Sequence, residues 1–227
     1  MLDCFACAAE DRDGPRERLR RQGAHALSDA ELVALVLRQG SREAHVLVLA
    51  RRLLARFGGV AGMLAASPAA LAQERGIGAA KAASMTAVVE LCRRALLEEA
   101  AALDVLASPR AVRDYLRLSL ATRAYEVFVG LYLDSQNRLL GAEELFRGTL
   151  AQTSVYPREV VKAALARNAA AMIFAHNHPS GVAEPSRADE LLTHALRQAL
   201  ALVDIRTLDH FLVAGNRLVS FAERGLL

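Results

Sequence analysis

The spacing of apolar residues changes partway along this 227-residue chain, and that change does most to limit its fold. Over roughly the first hundred residues the apolar positions recur at helical intervals. No segment there alternates convincingly with the period of two that marks a half-buried strand. Beyond Ser108-Pro109, apolar runs of strand length alternate with helical stretches. A purely helical chain and a purely β chain are both excluded. The pattern predicts an all-helical domain followed by an α/β (α+β) domain, a mixed sheet flanked by helices. The motif-free stretch Glu98 to Ser108 places the boundary between residues 103 and 104.

In the first part, Ser28-Asp29-Ala30-Glu31 forms a capping box, with Leu27 placed as a staple. The helix it opens ends near Gly40. A second runs from about Arg42 to Phe57 and stops at Gly58-Gly59, a short third covers Val60 to Leu64, and Ser67-Pro68 starts a fourth. Then Gly76-Ile77-Gly78 separates two helices, the second running from about Ala79 to about Leu97. Glycines there permit a tight turn that presents backbone N–H groups, and amides backed by a helix N-terminus suit a phosphate oxygen. The stretch 71–90 resembles the hairpin of helix-hairpin-helix domains, which grip the DNA backbone without reading sequence. That resemblance makes Gly76, Gly78 and Lys81 candidate nucleic-acid contacts. A sharp helix–helix corner with Ile77 plugged into the core explains the same residues equally well, and Arg75 and Lys81 are the only cations close by.

Charge does not decide between them. The net charge is +3, with a surplus of two basic residues in 1–100 and of one in 101–227, so neither part is a basic arm. Of three cysteines, Cys4 and Cys7 form a half-site with no second pair, and Cys92 stands apart, which is no disulfide framework. Acidic Asp3, Glu10 and Asp11 stand where an export signal needs a basic start and an apolar run. Apolar stretches fall short of the ~18 residues that span a bilayer. A soluble cytoplasmic protein without a membrane partner is expected.

In the second part, Ala111 to about Leu120 reads as a helix and Glu126 to Leu133 as a buried strand. A turn at Asp134 to Asn137 leads into a partner strand, Arg138 to Phe146. Gly148 to Val155 reads as a third strand, Pro157 opens a helix, and Ala169 to Ala175 is a further strand. A helix from Ser186 to about Leu202 follows, with three short closing strands over 205–208, 211–214 and 217–221.

Chemistry concentrates after the Ala169 strand, in His176-Asn177-His178-Pro179 and then Ser186 and Asp189. In extended backbone, residues i and i+2 share a face, so both imidazoles can converge on one point. Asp189, on the first turn of the next helix, can bring a carboxylate to that point. Two imidazoles and a carboxylate suit Zn²⁺ with a fourth position open for water. Ser186-x-x-Asp189 is equally a variant capping box, and one carboxylate can divide its two oxygens between the two tasks.

The spacing His176-x-His178-x7-Ser186-x2-Asp189 resembles the JAMM (MPN+) metalloprotease motif. The surroundings resemble the RadC family more closely still: His176 to Gly181, Pro185 to Asp189, Val155 to Val160, Leu208-Asp209-His210 and Ser220 to Leu227. RadC-family proteins also carry a helix-hairpin-helix-like N-terminal region. The resemblance implies a JAMM/MPN domain with a cytidine-deaminase-like fold over 104–227 and one zinc per chain. His176, His178 and Asp189 would be its ligands. Glu126 occupies the place of the family's general base, although Glu143 and Glu144 on the neighbouring strand could face the same pocket. Ser186 would steady an oxyanion. Asn177 stands where many JAMM sites have Ser or Thr, which bears on substrate preference. His194 reads as solvated or a supporting group rather than a fourth ligand, and His210, next to Asp209, reads either as a group that supports a ligand or, the preferred reading, as a packed strand-end residue.

The expected function is zinc-dependent hydrolysis of an amide bond in a peptide or protein, of the metallopeptidase or isopeptidase type. The alternative is a DNA-binding protein of repair or recombination, engaging DNA through the Gly76–Gly78 hairpin. Deaminase chemistry is disfavoured, since the H-x-E and P-C-x-x-C signatures are absent.

Overall fold

The computed structural model describes residues 14–102, 105, 109–148 and 155–227. Cys4 and Cys7, the expected boundary at 103/104 and most of the strand expected over 148–155 lie outside the described residues. The chain groups into two compact units that divide between Glu90 and Leu91.

The first unit is helical: α1 (Pro15–Gln22), a 3₁₀ turn (Ala24–Ala26), α2 (Asp29–Leu37), α3 (Val46–Phe57), α4 (Val60–Ala65), α5 (Pro68–Ala72) and the start of α6 (Ala79–Ala102). The capping box forms as the sequence predicts, with Glu31 accepting from the Ser28 backbone N–H at 2.9 Å. Ser67 Oγ likewise accepts from Ala70 N–H at 3.1 Å and starts α5. Helix α3 begins later than expected, at Val46. Ser41 Oγ accepts from the N–H groups of Glu43 and Ala44, and this hydroxyl-closed turn competes with helix over 41–44. Leu49, Leu53, Met63, Leu71, Ile77, Ala82 and Met85 form this unit's core.

The two hairpin glycines are not equivalent. Gly76 has φ +91°, in the left-handed region, and an added Cβ would lie 3.0 Å from the Ser41 Cβ. Gly78 has open space around it. Gly76→Ala should therefore cost about 2 kcal/mol, whereas Gly78→Ala should cost under about 1 kcal/mol. Urea unfolding of both variants checks the difference, and equal losses would contradict it.

The second unit contains α7 (Pro109–Leu120), β1 (Val127–Leu133), β2 (Leu139–Arg147), α8 (Pro157–Ala166), β3 (Ala171–Asn177), α9 (Arg187–Ala201), β4 (Arg206–Ala214) and β5 (Arg217–Ser220). Its sheet has the order β2-β1-β3-β4-β5, with β3 and β4 parallel and the other pairs antiparallel. This mixed sheet and the helical first unit give the α+β class read from the sequence. Two of the three short closing strands are one: β4 runs unbroken through Asp209 and His210. Pairing with β3 on one side and β5 on the other supplies backbone partners that hold those polar residues in extended form.

Strands β1 and β3 are buried along their whole length. Odd-numbered residues (Val129, Leu131, Ile173, Ala175) pack with Val112 and Leu116 of α7. Even-numbered ones (Phe128, Tyr132, Met172, Phe174) pack with Val160 of α8 and Leu196 and Leu200 of α9. The period-two alternation of strands thus sends His176 towards the α8/α9 layer and Asn177 the other way. Among the described residues no helix is long and apolar enough to cross a membrane.

Candidate metal centre

The site is built where β3 ends and α9 begins. His178 lies just past the strand, but its N–H still donates to Val213 O at 2.9 Å, so the extended backbone continues through it. His176 and His178 therefore share a face, and their Nε2 atoms stand 3.3 Å apart. After the intervening loop, Ser186 caps α9 and Asp189 occupies its first turn. Asp189 Oδ2 accepts from the Ser186 N–H and Oγ, both at 2.7 Å, and Ser186 Oγ accepts from the Asp189 N–H at 3.2 Å. Asp189 Oδ1 lies 3.4 Å from His176 Nε2, and Oδ2 lies 3.4 Å from His178 Nε2.

The carboxylate thus serves cap and cluster at once. The Ser186 hydroxyl donates to Asp189 Oδ2 and so holds the carboxylate.

Glu126, immediately before β1, completes the group. One potential ligand atom from each of Glu126, His176, His178 and Asp189 lies within 4.8 Å of the others. Glu143 and Glu144 are engaged elsewhere. Glu143 accepts from Tyr132 Oη and pairs with Arg167, while Glu144 pairs with Arg123 and Arg147. Asn177 holds the backbone on either side of Glu126, whose own carbonyl accepts from the Gly148 N–H at 2.8 Å. The Asn177 Oδ1 accepts from Val127 N–H at 2.8 Å, and its Nδ2 donates to Tyr125 O at 3.0 Å and Arg123 O at 3.4 Å. Asn177 is 2% exposed. The structure turns this residue inward as a clamp on both neighbours of Glu126.

Each histidine of the pair is oriented through its other nitrogen, a common arrangement in metal sites. His178 Nδ1 is 2.9 Å from Val182 O. A carbonyl only accepts, so Nδ1 carries the hydrogen there. His176 Nδ1 is 2.8 Å from His210 Nε2, and His210 Nδ1 is 2.6 Å from Thr193 Oγ1. Thr193 Oγ1 in turn donates to Asp189 O at 2.6 Å. His210 is thus no packed strand-end residue. It sits in the middle of β4, opposite Phe174, fully buried and bonded to His176. Thr193 escaped the sequence reading, whose only signal would have been its position four residues after Asp189 on the same helix face.

Burial would raise the Asp189 carboxyl, but its contacts with the His176 and His178 imidazoles and with Ser186 outweigh it and hold it well below the usual carboxylate range. The hydrogen bond to Asp189 raises His178 above its ordinary value against the effect of burial. Burial pushes His210 well below its ordinary value, followed in effect by the neighbouring His176. Two imidazole nitrogens and a carboxylate suit a borderline ion such as Zn²⁺, and three protein ligands leave one tetrahedral position open.

Other sequence candidates stand apart from this cluster. His194 lies on the exposed face of α9 with its Nε2 3.0 Å from Gln198 Nε2. In the hairpin, Ile77 is 2% exposed and belongs to the core. Lys81 Nζ donates to Gly40 O at 2.7 Å and to Gly76 O at 2.9 Å. Two of its three donors are spent joining loops, so it does not stand free as the expected phosphate contact.

Comparison with known proteins finds two matching families. A family described as RadC-like JAB domain matches residues 106–226, and one described as UPF0758 N-terminal matches residues 7–83. A UPF0758 protein of Dechloromonas aromatica is 64% identical over 215 residues, covering 94% of this chain and 95% of the relative. One from Methylibium petroleiphilum is 62% identical over 213 residues, covering 94% and 96%. A third, from Nitrosomonas eutropha, is 57% identical over 217 residues, covering 96% and 97%.

Proposed function

This chain belongs to the UPF0758 family with a RadC-like JAB domain, and from that premise we propose that it is a zinc-dependent hydrolase cleaving an amide or isopeptide bond. The observation that carries the reading is the convergence of Glu126, His176, His178 and Asp189 within 4.8 Å. His176, His178 and Asp189 would hold the ion. When bound, zinc supplies Lewis acidity that makes water acidic enough to lose a proton near neutral pH.

The chain's own residues do the rest. The Glu126 carboxylate would take a proton from the attacking water and return it to the departing amine, a role for a carboxylate beside the proposed ligands but outside their set. Asn177 keeps Glu126 in register by holding Tyr125 and Val127. Ser186 fixes the Asp189 carboxylate.

Metal analysis of the purified full chain tests the reading. About one zinc per chain is expected, lost on treatment with a chelator and restored by added zinc. Cleavage of a fluorogenic peptide mixture should follow the metal through this cycle. His178→Ala should abolish stoichiometric zinc. A wild-type chain that takes up zinc no better than His178→Ala would sink the proposal.

A further inference from the structure

Four polar groups run in series behind the metal centre, and only one arrangement of their hydrogens satisfies every contact. Thr193 Oγ1 is 2.6 Å from Asp189 O, and only the hydroxyl can supply the hydrogen between them. A threonine has no second hydrogen to give. The 2.6 Å contact with His210 Nδ1 must then be filled from the imidazole, so His210 carries its hydrogen on Nδ1. The reverse assignment would leave two lone pairs facing each other at 2.6 Å against Asp189 O. A further hydrogen on His210 Nε2 would make an imidazolium of a ring that is 0% exposed, with a hydroxyl and another imidazole as its bonded partners. His210 Nε2 therefore accepts, and the hydrogen in the 2.8 Å contact with His176 sits on His176 Nδ1. That leaves His176 Nε2 as the nitrogen available to a metal, and it is the atom that faces His178 and Asp189.

We propose that Thr193 and His210 form a tautomer-setting relay, positioning residues that fix His176 as a metal ligand by dictating which of its nitrogens bears hydrogen. The inference rests on the metal-centre reading above and adds the means by which this chain prepares it. The series begins at the main chain of Asp189, whose carboxylate is itself proposed as a ligand. One residue of α9 therefore orients the imidazole on β3 by way of β4. His178 needs no such relay, because a backbone carbonyl already specifies its hydrogen.

The test combines long-range ¹H–¹⁵N spectra of the histidine rings with zinc competition titrations on the full chain. In the wild type, without zinc and with it, His210 should show hydrogen on Nδ1 and none on Nε2. Thr193→Val keeps the shape of the side chain but lacks the hydroxyl. It should lose that preference and bind zinc about 10- to 100-fold more weakly. Thr193→Ser should restore both. A merely structural role for Thr193 would move the melting temperature of Thr193→Val and leave the tautomer and the zinc affinity alone. Hydrogen on His210 Nε2 in the wild type overturns the relay, as does wild-type zinc affinity in a folded Thr193→Val. If Thr193→Val does not fold, the wild-type spectrum and Thr193→Ser still decide. If the wild type takes up no zinc, the metal-centre reading fails, and the relay is judged separately by the His210 tautomer in the metal-free chain.

Discussion

Glu126→Gln should keep its full zinc content while hydrolysis falls by about 10²- to 10⁴-fold, the range for loss of a positioned general base. The substitution keeps the size of the side chain and removes only its capacity to take up a proton. Its backbone grip is unaffected, because Asn177 bonds to Tyr125 and Val127 and not to the Glu126 side chain. The three proposed ligands are also untouched. Zinc analysis beside turnover of the peptide cleaved by the wild type gives the two readings. Zinc lost together with activity would make Glu126 a ligand, and full activity would move the base elsewhere. The structure leaves little choice for a substitute among the neighbouring acids, since Glu143 and Glu144 are tied to Arg167, Arg123 and Arg147.

The largest effect on stability should come from Asn177→Ala. The amide is buried and joined to three backbone groups, so its removal strands Val127 N–H and Tyr125 O away from their partners. Each stranded buried group costs about 1–3 kcal/mol, and a total loss near 3 kcal/mol is expected. For a chain of this size that lowers the melting temperature by roughly 10 °C. Asn177→Asp is the informative companion. A carboxylate can still accept from Val127 N–H but cannot donate to Tyr125 O, so it should recover only part of the loss. Calorimetry on both variants checks the ordering. An unchanged melting temperature in Asn177→Ala would mean that residues 123–127 are held by something other than this amide.

The zinc-ligand candidates were legible because their geometry is local. His176 and His178 obey the pleat of one extended strand, and Asp189 obeys the capping rule of the helix that follows. The alternation of strand and helix also announced the sheet. What stayed hidden depends on contacts across sequence distance. His210 reaches His176 only because β4 pairs in parallel with β3, and Thr193 reaches His210 only because α9 packs over that pair. The Leu208-Asp209-His210 stretch carries the family resemblance but does not specify the contact with His176, and no pattern marks Thr193. Ser186 was recognised as both a cap and a catalytic candidate. The hydrogen bond by which its hydroxyl holds the Asp189 carboxylate depends on the direction of one hydrogen, which spacing does not specify. Lys81 shows the same limit: its charge was visible in the sequence, but the two carbonyls that absorb it lie on separate loops.

The tripeptide His176-Asn177-His178 also governs what kinds of genetic change this protein can absorb. Its outer residues face the His/Asp/Glu cluster and its middle residue grips the segment that carries Glu126. A single inserted or deleted codon within β3 would exchange the two faces at every position beyond it. Both imidazoles would then turn towards the α7 layer, and the amide would point at the cluster. A change of length in β3 would therefore displace both histidines of the cluster and the hold on the Glu126 segment together.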